Sequence, residues 1–362
     1  MRKSFLFVVW AGGGNVPPQL TLARRLAARG HSVRMLGPAV LREGIEAAGV
    51  VYEPYREAPE HDEAVPERSL VRDFDRSPLG AIAAVRNNLL AGMAAPVAAD
   101  VLSILERQGV DVVAFDFSLF GALFAAEKAQ VPAAMLVHTV YPFPAPGYPP
   151  FGMGFAPMRG PLGLVRDAVG RQVFRRLYER PLMPRLSEVR TRLGLSPLAS
   201  LLDLLERTNR VFVLTSRAFD FPAQLPPNVQ YLGPQVEEPE WTPPWESAWP
   251  PGDSRPLVVV GLTTTYQAHG DLLHRIVAAL GTLPIRALAT TGRLELGDPP
   301  PNVHLARFVP HPRVLPQADA VVTHAGLGTV HAALAHGVPL VCLPIGRDQP
   351  DNAARVAWHG AG

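Results

Sequence analysis

The sequence predicts an α/β protein of two domains, each built on a doubly wound parallel sheet. Three observations carry this. Short, continuously apolar runs alternate with helical stretches along both halves of the chain. In each half a glycine-rich turn joins one of these runs to a helix, as in Gly12-Gly13-Gly14-Asn15 and Gly326-Leu327-Gly328. Ten prolines fall within residues 219–256 and separate the halves. The chain has 362 residues, enough for about two domains, and 48% of them are apolar, so each half has material for a core.

In the first half, residues 5–11 read as a strand buried on both faces. Pro17-Pro18 pre-set the next helix and Gly30 stops it. Strands are expected at 31–37 and 50–55, with a helix at 41–48 between them. Residues 56–95 carry mixed charge and read as a loop-and-helix excursion. A helix at 97–108 ends at Gly109. A strand at 110–117 holds Asp116 near its end, a helix covers 121–130, and the strand at 133–137 runs into His138. Residues 141–163 are dense in Pro, Gly, Phe, Tyr and Met, which excludes a regular element. They are too apolar for a solvated linker, so a lid or wall for an apolar ligand is expected, with Tyr141, Phe143, Tyr148 and Phe151 as its aromatic lining. Helical text covers 164–206 and a strand 210–215. The second half repeats the plan, with strands at 257–261, 285–290, 303–308, 318–323 and 341–344 and helices at 272–280, 329–336 and 351–358. The predicted division is 1–218, a proline-rich linker at 219–256, and 257–362.

Composition excludes several classes. The formal charge is +2, from 34 basic and 32 acidic residues, which argues against a nucleic-acid binder. Cys342 is the lone cysteine, so neither an internal disulfide nor a cysteine zinc cluster is possible, and a reducing compartment fits. Lys3 and Lys128 are the only lysines; with the Ala, Pro and Gly richness, this reads as bacterial codon bias. Met1-Arg2-Lys3 before an apolar run imitates a signal peptide, but no small-residue cleavage site follows. No run of 18 apolar residues occurs, so no membrane span is expected and the protein is placed in the cytoplasm.

The most specific chemistry lies in Val321-Val322-Thr323-His324-Ala325-Gly326-Leu327-Gly328-Thr329. A buried strand runs into a glycine turn that opens a helix. The free N–H groups at such a helix start, with their positive partial charge, suit a diphosphate, and His324 can add a donor. The stretch lacks a P-loop lysine and the dinucleotide G-x-G-x-x-G spacing.

Around it stand Phe308-Val309-Pro310-His311, Leu315, Gly337-Val338-Pro339, Pro344, Asp348-Gln349 and Asn352-Ala353. This ordered set resembles the C-terminal signature of the family 1 glycosyltransferases, which include UDP-glycosyltransferases and antibiotic-tailoring enzymes. The first glycine loop, Arg29-Gly30-His31-Ser32-Val33 and Thr263-Thr264-Thr265 extend the resemblance over nearly the whole chain. It implies the GT-B architecture, with an acceptor domain, a nucleotide-sugar domain and catalysis in the cleft. It also implies a closing C-terminal helix, which would be missing beyond Gly362. By the same resemblance Phe308 stacks on the nucleobase and Val309 meets it through its backbone. His324, Gly326, Gly328 and Thr329 hold the diphosphate, Thr263, Thr264 and Thr265 close over the phosphates, and Asp348 and Gln349 bind sugar hydroxyls. The donor is a co-substrate; no cofactor and no metal are expected.

Two departures from the family pattern refine this. A Glu eight residues after the cradle histidine commonly grips the ribose hydroxyls, and here that position is Ala332. A UDP-sugar loses a charge-assisted hydrogen bond, on the order of 1.5–3 kcal/mol. A dTDP-sugar lacks the 2′-hydroxyl and loses less, so dTDP is favoured over UDP. The family's base histidine in the first loop is replaced by Asn15, which can orient but cannot take a proton at neutral pH. Asp116, with a pKa raised by partial desolvation, is the first candidate base and His138 the second. The reading is an inverting glycosyltransferase acting on a hydrophobic, aromatic or polyketide-like acceptor through an O- or C-linkage, as a monomer or homodimer. A catalytically silent homologue and a nucleotide-sugar epimerase are the alternatives.

Overall fold

A computed structural model describes residues 1–362 except 75, 237–244, 263, 264, 266 and 268. Two compact units result. The first comprises Met1–Phe151 and Pro157–Gln235, the second Gly152–Ala156 and Val236–Gly362.

The first unit opens with β1 (Ser4–Val8), α1 (Val16–Ala28), β2 (Ser32–Gly37), α2 (Arg42–Ala47) and β3 (Val51–Pro54). The excursion that follows contains α3 (Pro78–Ala84), a π-helical stretch (Val85–Ala91) and α4 (Ala94–Arg107). Then come β4 (Val112–Asp116), α5 (Phe120–Lys128), β5 (Ala133–Val137), α6 (Pro161–Phe174), α7 (Arg180–Arg192), α8 (Leu202–Glu206), β6 (Arg210–Val213) and β7 (Val229–Tyr231). The seven strands lie parallel in the order β3-β2-β1-β4-β5-β6-β7. The run predicted as the first strand supplies Leu6, Phe7 and Val8, which are buried because helices cover both faces of a parallel sheet. Phe7 and Val9 share one core with Ala23 of α1, Val33 and Met35 of β2, and Ile45 of α2.

The second unit holds β8 (Leu257–Gly261), α9 (Gly270–Gly281), β9 (Arg286–Thr290), β10 (Val303–Ala306), the short α10 (His311–Val314), β11 (Ala320–Thr323), α11 (Leu327–Ala335), β12 (Leu340–Cys342) and α12 (Gln349–Trp358). Its strands are parallel in the order β10-β9-β8-β11-β12. Val260, Leu273, Ile276, Val277, Ala287 and Ala289 form its core.

Both sheets change winding direction beside their first strand, between β1 and β4 and between β8 and β11. Loops that leave a sheet in opposite directions open a crevice at the strand C-termini, where ligands of such folds bind. The first crevice is bordered by the glycine turn after β1 and by Asp116 at the end of β4. The second is bordered by the C-terminal end of β8 and by His324 after β11.

One sequence expectation is corrected. The stretch 219–256 is not a linker throughout: Val229–Tyr231 is β7, which pairs with β6. Three residues flanked by prolines carry little periodic signal, and the pairing comes from Val213 and its neighbours in β6. Among the described residues, the helix Pro78–Arg107 has the length and composition to cross a membrane, with a mean hydropathy of 1.6, and this alone does not overturn the expectation of no membrane span. No single apolar run reveals it, because the π-helical stretch joins α3 and α4 into one helix. Half of its most apolar window is buried within the protein, as expected of a core helix.

Candidate functional site

The first crevice is built around Asp116, which has no solvent exposure. Its Oδ2 accepts from Asn15 Nδ2 at 2.9 Å and Gln19 Nε2 at 2.7 Å, and its Oδ1 from Ser118 N at 3.0 Å and Ser118 Oγ at 2.5 Å. His138 Nδ1 lies 3.0 Å from Oδ2, off the ideal hydrogen-bond line. Such a pair tightens when substrate seats. Burial alone would raise the Asp116 pKa. The charge of His138 and the hydrogen bonds of His138, Ser118 and Asn15 outweigh it and bring the pKa down to about 2.

This corrects the expected role of Asp116. A carboxylate with both oxygens occupied and a pKa of about 2 is a poor base at neutral pH. Desolvation, the effect on which the expectation rested, is present but loses to the hydrogen bonds. Asp116 instead holds its partners in place. With Nδ1 of His138 facing Asp116, Nε2 is the ring nitrogen that can take a proton. The His138 side chain keeps 16% exposure, and its ring lies 5.0 Å from that of Phe117. Asn15 is a tether, donating to Trp10 O at 3.0 Å as well as to Asp116.

Sequence reasoning missed several members. Gln19 sits one helical turn after Asn15 and bonds both its carbonyl and Asp116; the four-residue spacing was the available signal. His61 accepts from Ala11 N at 3.1 Å, and its Nδ1 meets Pro59 O at 3.0 Å, so it braces the loop after β1 as a neutral ring. It lies in irregular sequence with no periodicity to mark it.

The aromatic lining expected in 141–163 is also corrected. Tyr141, Phe143 and Tyr148 are buried in a cluster with Phe221. Asp220 pins this cluster, accepting from the Tyr148 hydroxyl at 2.5 Å, the Tyr231 hydroxyl at 2.8 Å and Tyr141 N at 3.2 Å. These rings shape the loop from within: Tyr141 has no exposed surface, and Phe143 and Tyr148 keep only 6% and 3%. Phe151 is half-buried.

In the second unit, β11 delivers His324, and α11 starts at Leu327 with Gly326 as its N-cap. Gly328 is exposed and Thr329 half-exposed, so the helix start is open to a ligand. Burial brings the His324 pKa down to about 4, with Asp348 pulling the other way. The ring is therefore neutral at pH 7 and carries one N–H, for which the Gly261 carbonyl competes, rather than a charge. A side chain at Gly326 would meet the His324 ring at 2.6 Å, so only glycine leaves the imidazole its place. Ala325 adopts φ +67°, and Asn352 Nδ2 donates both to its carbonyl and to Asp348 Oδ2, each at 3.0 Å. Asn352 thus ties the cradle to the acidic turn before α12.

Phe308 is 50% exposed, so its ring is not core, whereas the Val309 side chain is buried. Asp348 is half-buried. Gln349 is buried and largely committed: its Oε1 accepts from Ile345 N and Gly346 N, and its Nε2 donates to Gln267. That leaves one N–H for a ligand and makes Gln349 chiefly a brace of the turn. Thr265 is buried, 3.3 Å from Gln267 Nε2; Thr263 and Thr264 lie outside the described residues. Among the described residues no three His, Cys, Asp or Glu side chains are grouped to hold a metal ion.

Two parallel doubly wound units, one carrying a His–Asp pair and the other a glycine-and-histidine cradle, define a GT-B glycosyltransferase. The sequence model described as UDP-glucoronosyl and UDP-glucosyl transferase matches residues 180–362. The 4′-demethylrebeccamycin synthase of Lentzea aerocolonigenes is 35% identical over 375 residues, covering 100% of this chain and 87% of the relative. The chain belongs to this nucleotide-sugar-dependent glycosyltransferase family. Among solved structures, the kitacinnamycin glycosyltransferase superposes with TM-score 0.72 at 22% identity, covering 99% of this chain and 85% of the other. The spinosyn rhamnosyltransferase SpnG, complexed with thymidine diphosphate, superposes with TM-score 0.66 at 19% identity, covering 100% and 85%. Both agree in fold.

Proposed function

We propose that this protein transfers a sugar, with inversion at the anomeric carbon, from a nucleotide diphosphate donor to a hydrophobic aromatic or polyketide-like acceptor. A dTDP-sugar is favoured over a UDP-sugar, the linkage is O- or C-, and no metal or cofactor takes part. The observation that carries this reading is the His138–Asp116 pair beside Asn15. It supplies a base at the end of β5 where the family's usual position in the first loop holds an asparagine.

In the proposed reaction His138 Nε2 takes the proton from the acceptor nucleophile as that nucleophile attacks the anomeric carbon. The glycosidic bond to the diphosphate breaks with its electron pair on the leaving oxygen. Asp116 stays ionised and steadies the imidazolium that forms. The α11 start and the His324 N–H stabilise the departing diphosphate. Phe308 stacks on the base, and Asp348, with the remaining Gln349 N–H, holds sugar hydroxyls. The dTDP preference rests on Ala332, and the thymidine diphosphate bound to SpnG agrees with it.

The test is mass spectrometry of reactions pairing dTDP-glucose or UDP-glucose with phenolic and polyketide acceptors. An acceptor gaining a hexosyl mass, with dTDP-glucose the better donor by kcat/KM, is expected. His138→Ala is expected to lower kcat by about 10²–10⁴-fold. Donor binding without transfer or hydrolysis would identify a silent homologue, and full activity in the variant would remove His138 from the mechanism.

A further inference from the structure

Residues Gly152–Ala156 pack with the second unit, although the chain up to Phe151 and from Pro157 belongs to the first. The segment reads Gly-Met-Gly-Phe-Ala and carries no charge. One carboxylate holds it. Asp351, in the first turn of α12, accepts from Gly152 N at 2.5 Å and from Gly154 N at 2.9 Å, one bond to each oxygen. The two donors lie 199 and 197 residues earlier in the chain. Both glycines have positive φ, +84° and +64°, where a side chain would be strained. A Cβ on Gly154 would lie 2.9 Å from Pro350 Cβ, so the segment rests directly on the residue between Gln349 and Asp351.

Packing an apolar segment needs no buried charge. Asp351 keeps only 3% exposure, and burial pushes its pKa up to about 6 against the two N–H groups and the charge of Arg355. What the carboxylate adds is direction: two charge-assisted bonds fix both the place and the orientation of the segment. Three side chains of this one turn reach three different segments. Gln349 bonds Gln267 after β8, Asn352 bonds the Ala325 carbonyl after β11, and Asp351 bonds 152–156. Asp348 stands at the head of the same turn. It is half-buried, as are Met153 and Phe155, so each keeps some exposed surface.

We propose that Asp351 is a positioning residue for donor binding: it fixes Gly152–Ala156 beside Asp348 as a wall of the sugar end of the donor site, within the second unit. The proposal rests on the reading of Asp348 as a sugar-binding residue. Asp351 acts through the segment, since both of its oxygens already accept from backbone. The clasp therefore bears on the sugar, and the α11 start and His324 bear on the diphosphate.

The experiment is calorimetric titration of Asp351→Asn with thymidine diphosphate and with dTDP-glucose, beside steady-state kinetics. Asparagine keeps the shape but turns an NH₂ group toward one of the glycine N–H groups, so one bond becomes a donor–donor contact. The Kd for thymidine diphosphate is expected within about twofold of wild type. Affinity for dTDP-glucose should fall about tenfold, as loss of about one well-placed hydrogen bond to the sugar would give, and donor KM should rise more than kcat falls. Gly154→Ala leaves Asp351 intact but pushes the segment off Pro350, and it should give the same split. Equal weakening of both nucleotides in the two variants overturns the proposal, because the segment would then serve the fold of the unit. Unchanged dTDP-glucose affinity in both variants also overturns it. Asp348→Ala separates the two assignments. If it leaves dTDP-glucose affinity unchanged while Asp351→Asn lowers it, the clasp stands and the sugar role of Asp348 falls; the reverse pattern overturns the clasp alone. Absence of wild-type binding to either nucleotide overturns the donor reading and the proposal with it.

Discussion

Asp116 shows how partners, rather than burial, set the behaviour of a single carboxylate. It is fully buried, yet its pKa is about 2, below the ordinary 3.8. Because the folded value lies below the unfolded one, its contribution to stability is complete above about pH 4 and lost as the pH falls through about 2. The difference corresponds to about 2 kcal/mol, with about 1 kcal/mol gone by pH 3. Asp116→Asn should therefore unfold at lower urea at pH 7. Its stability should also fall less than that of wild type between pH 5 and pH 3, by about 1 kcal/mol. Urea titrations of both proteins at the two pH values measure this; parallel acid losses would mean that the carboxylate is not stabilised in the folded state. At this scale the sequence was only partly legible. Asp116, Asn15 and His138 stand out as strand-end and loop residues, and the structure does bring them together. Their division of labour was not legible, because it depends on Gln19, Ser118 and the ring orientation of His138, which converge from separate segments.

At the scale of elements, close backbone approach decides what a position tolerates. A side chain on Gly121, in the first turn of α5, would lie 2.1 Å from the Ala94 carbonyl oxygen of α4. The two helices meet through that glycine, and backbone cannot yield as a flexible side chain can. Gly121→Ala should cost about 1–3 kcal/mol of stability and leave donor binding in the second unit unchanged; a thermal melt and a thymidine diphosphate titration measure the two effects. An unshifted melt would show that the helices can separate at little cost. The same scale explains why most elements could be read in advance. Runs such as Leu257–Gly261 and Ala133–Val137 are apolar throughout because both faces of a parallel sheet are covered, and they appear where the sequence places them. What escaped was structure set by neighbours: β7, which exists because β6 offers an edge, and the aromatic core of 141–151, held by Asp220 from a distant segment. The exposed aliphatic residues of α6, Leu162, Val165 and Val169, escaped for a different reason. Their spacing is ordinary, and only exposure shows which face is outward.

At the scale of the whole molecule, each unit has its own sheet, its own core and its own crevice. The His138–Asp116 pair belongs to the first unit and the His324 cradle to the second, so donor binding and proton transfer are expected to separate by mutation. His138→Ala should abolish most transfer yet leave the Kd for thymidine diphosphate within about twofold of wild type, since His138 and the cradle belong to separate units. Gly326→Ala should act in the opposite sense. Its methyl group displaces the His324 ring, whose atoms would otherwise lie 2.6 Å away. Affinity for thymidine diphosphate should fall about tenfold, the worth of about one hydrogen bond to a charged group. Transfer at saturating donor should fall less than in the His138 variant. Calorimetric titration with thymidine diphosphate and steady-state kinetics on the same preparations give both columns of the comparison. If His138→Ala weakens the diphosphate as strongly as Gly326→Ala does, the two crevices are energetically one site. The assignment of binding to one unit and proton transfer to the other would then fail.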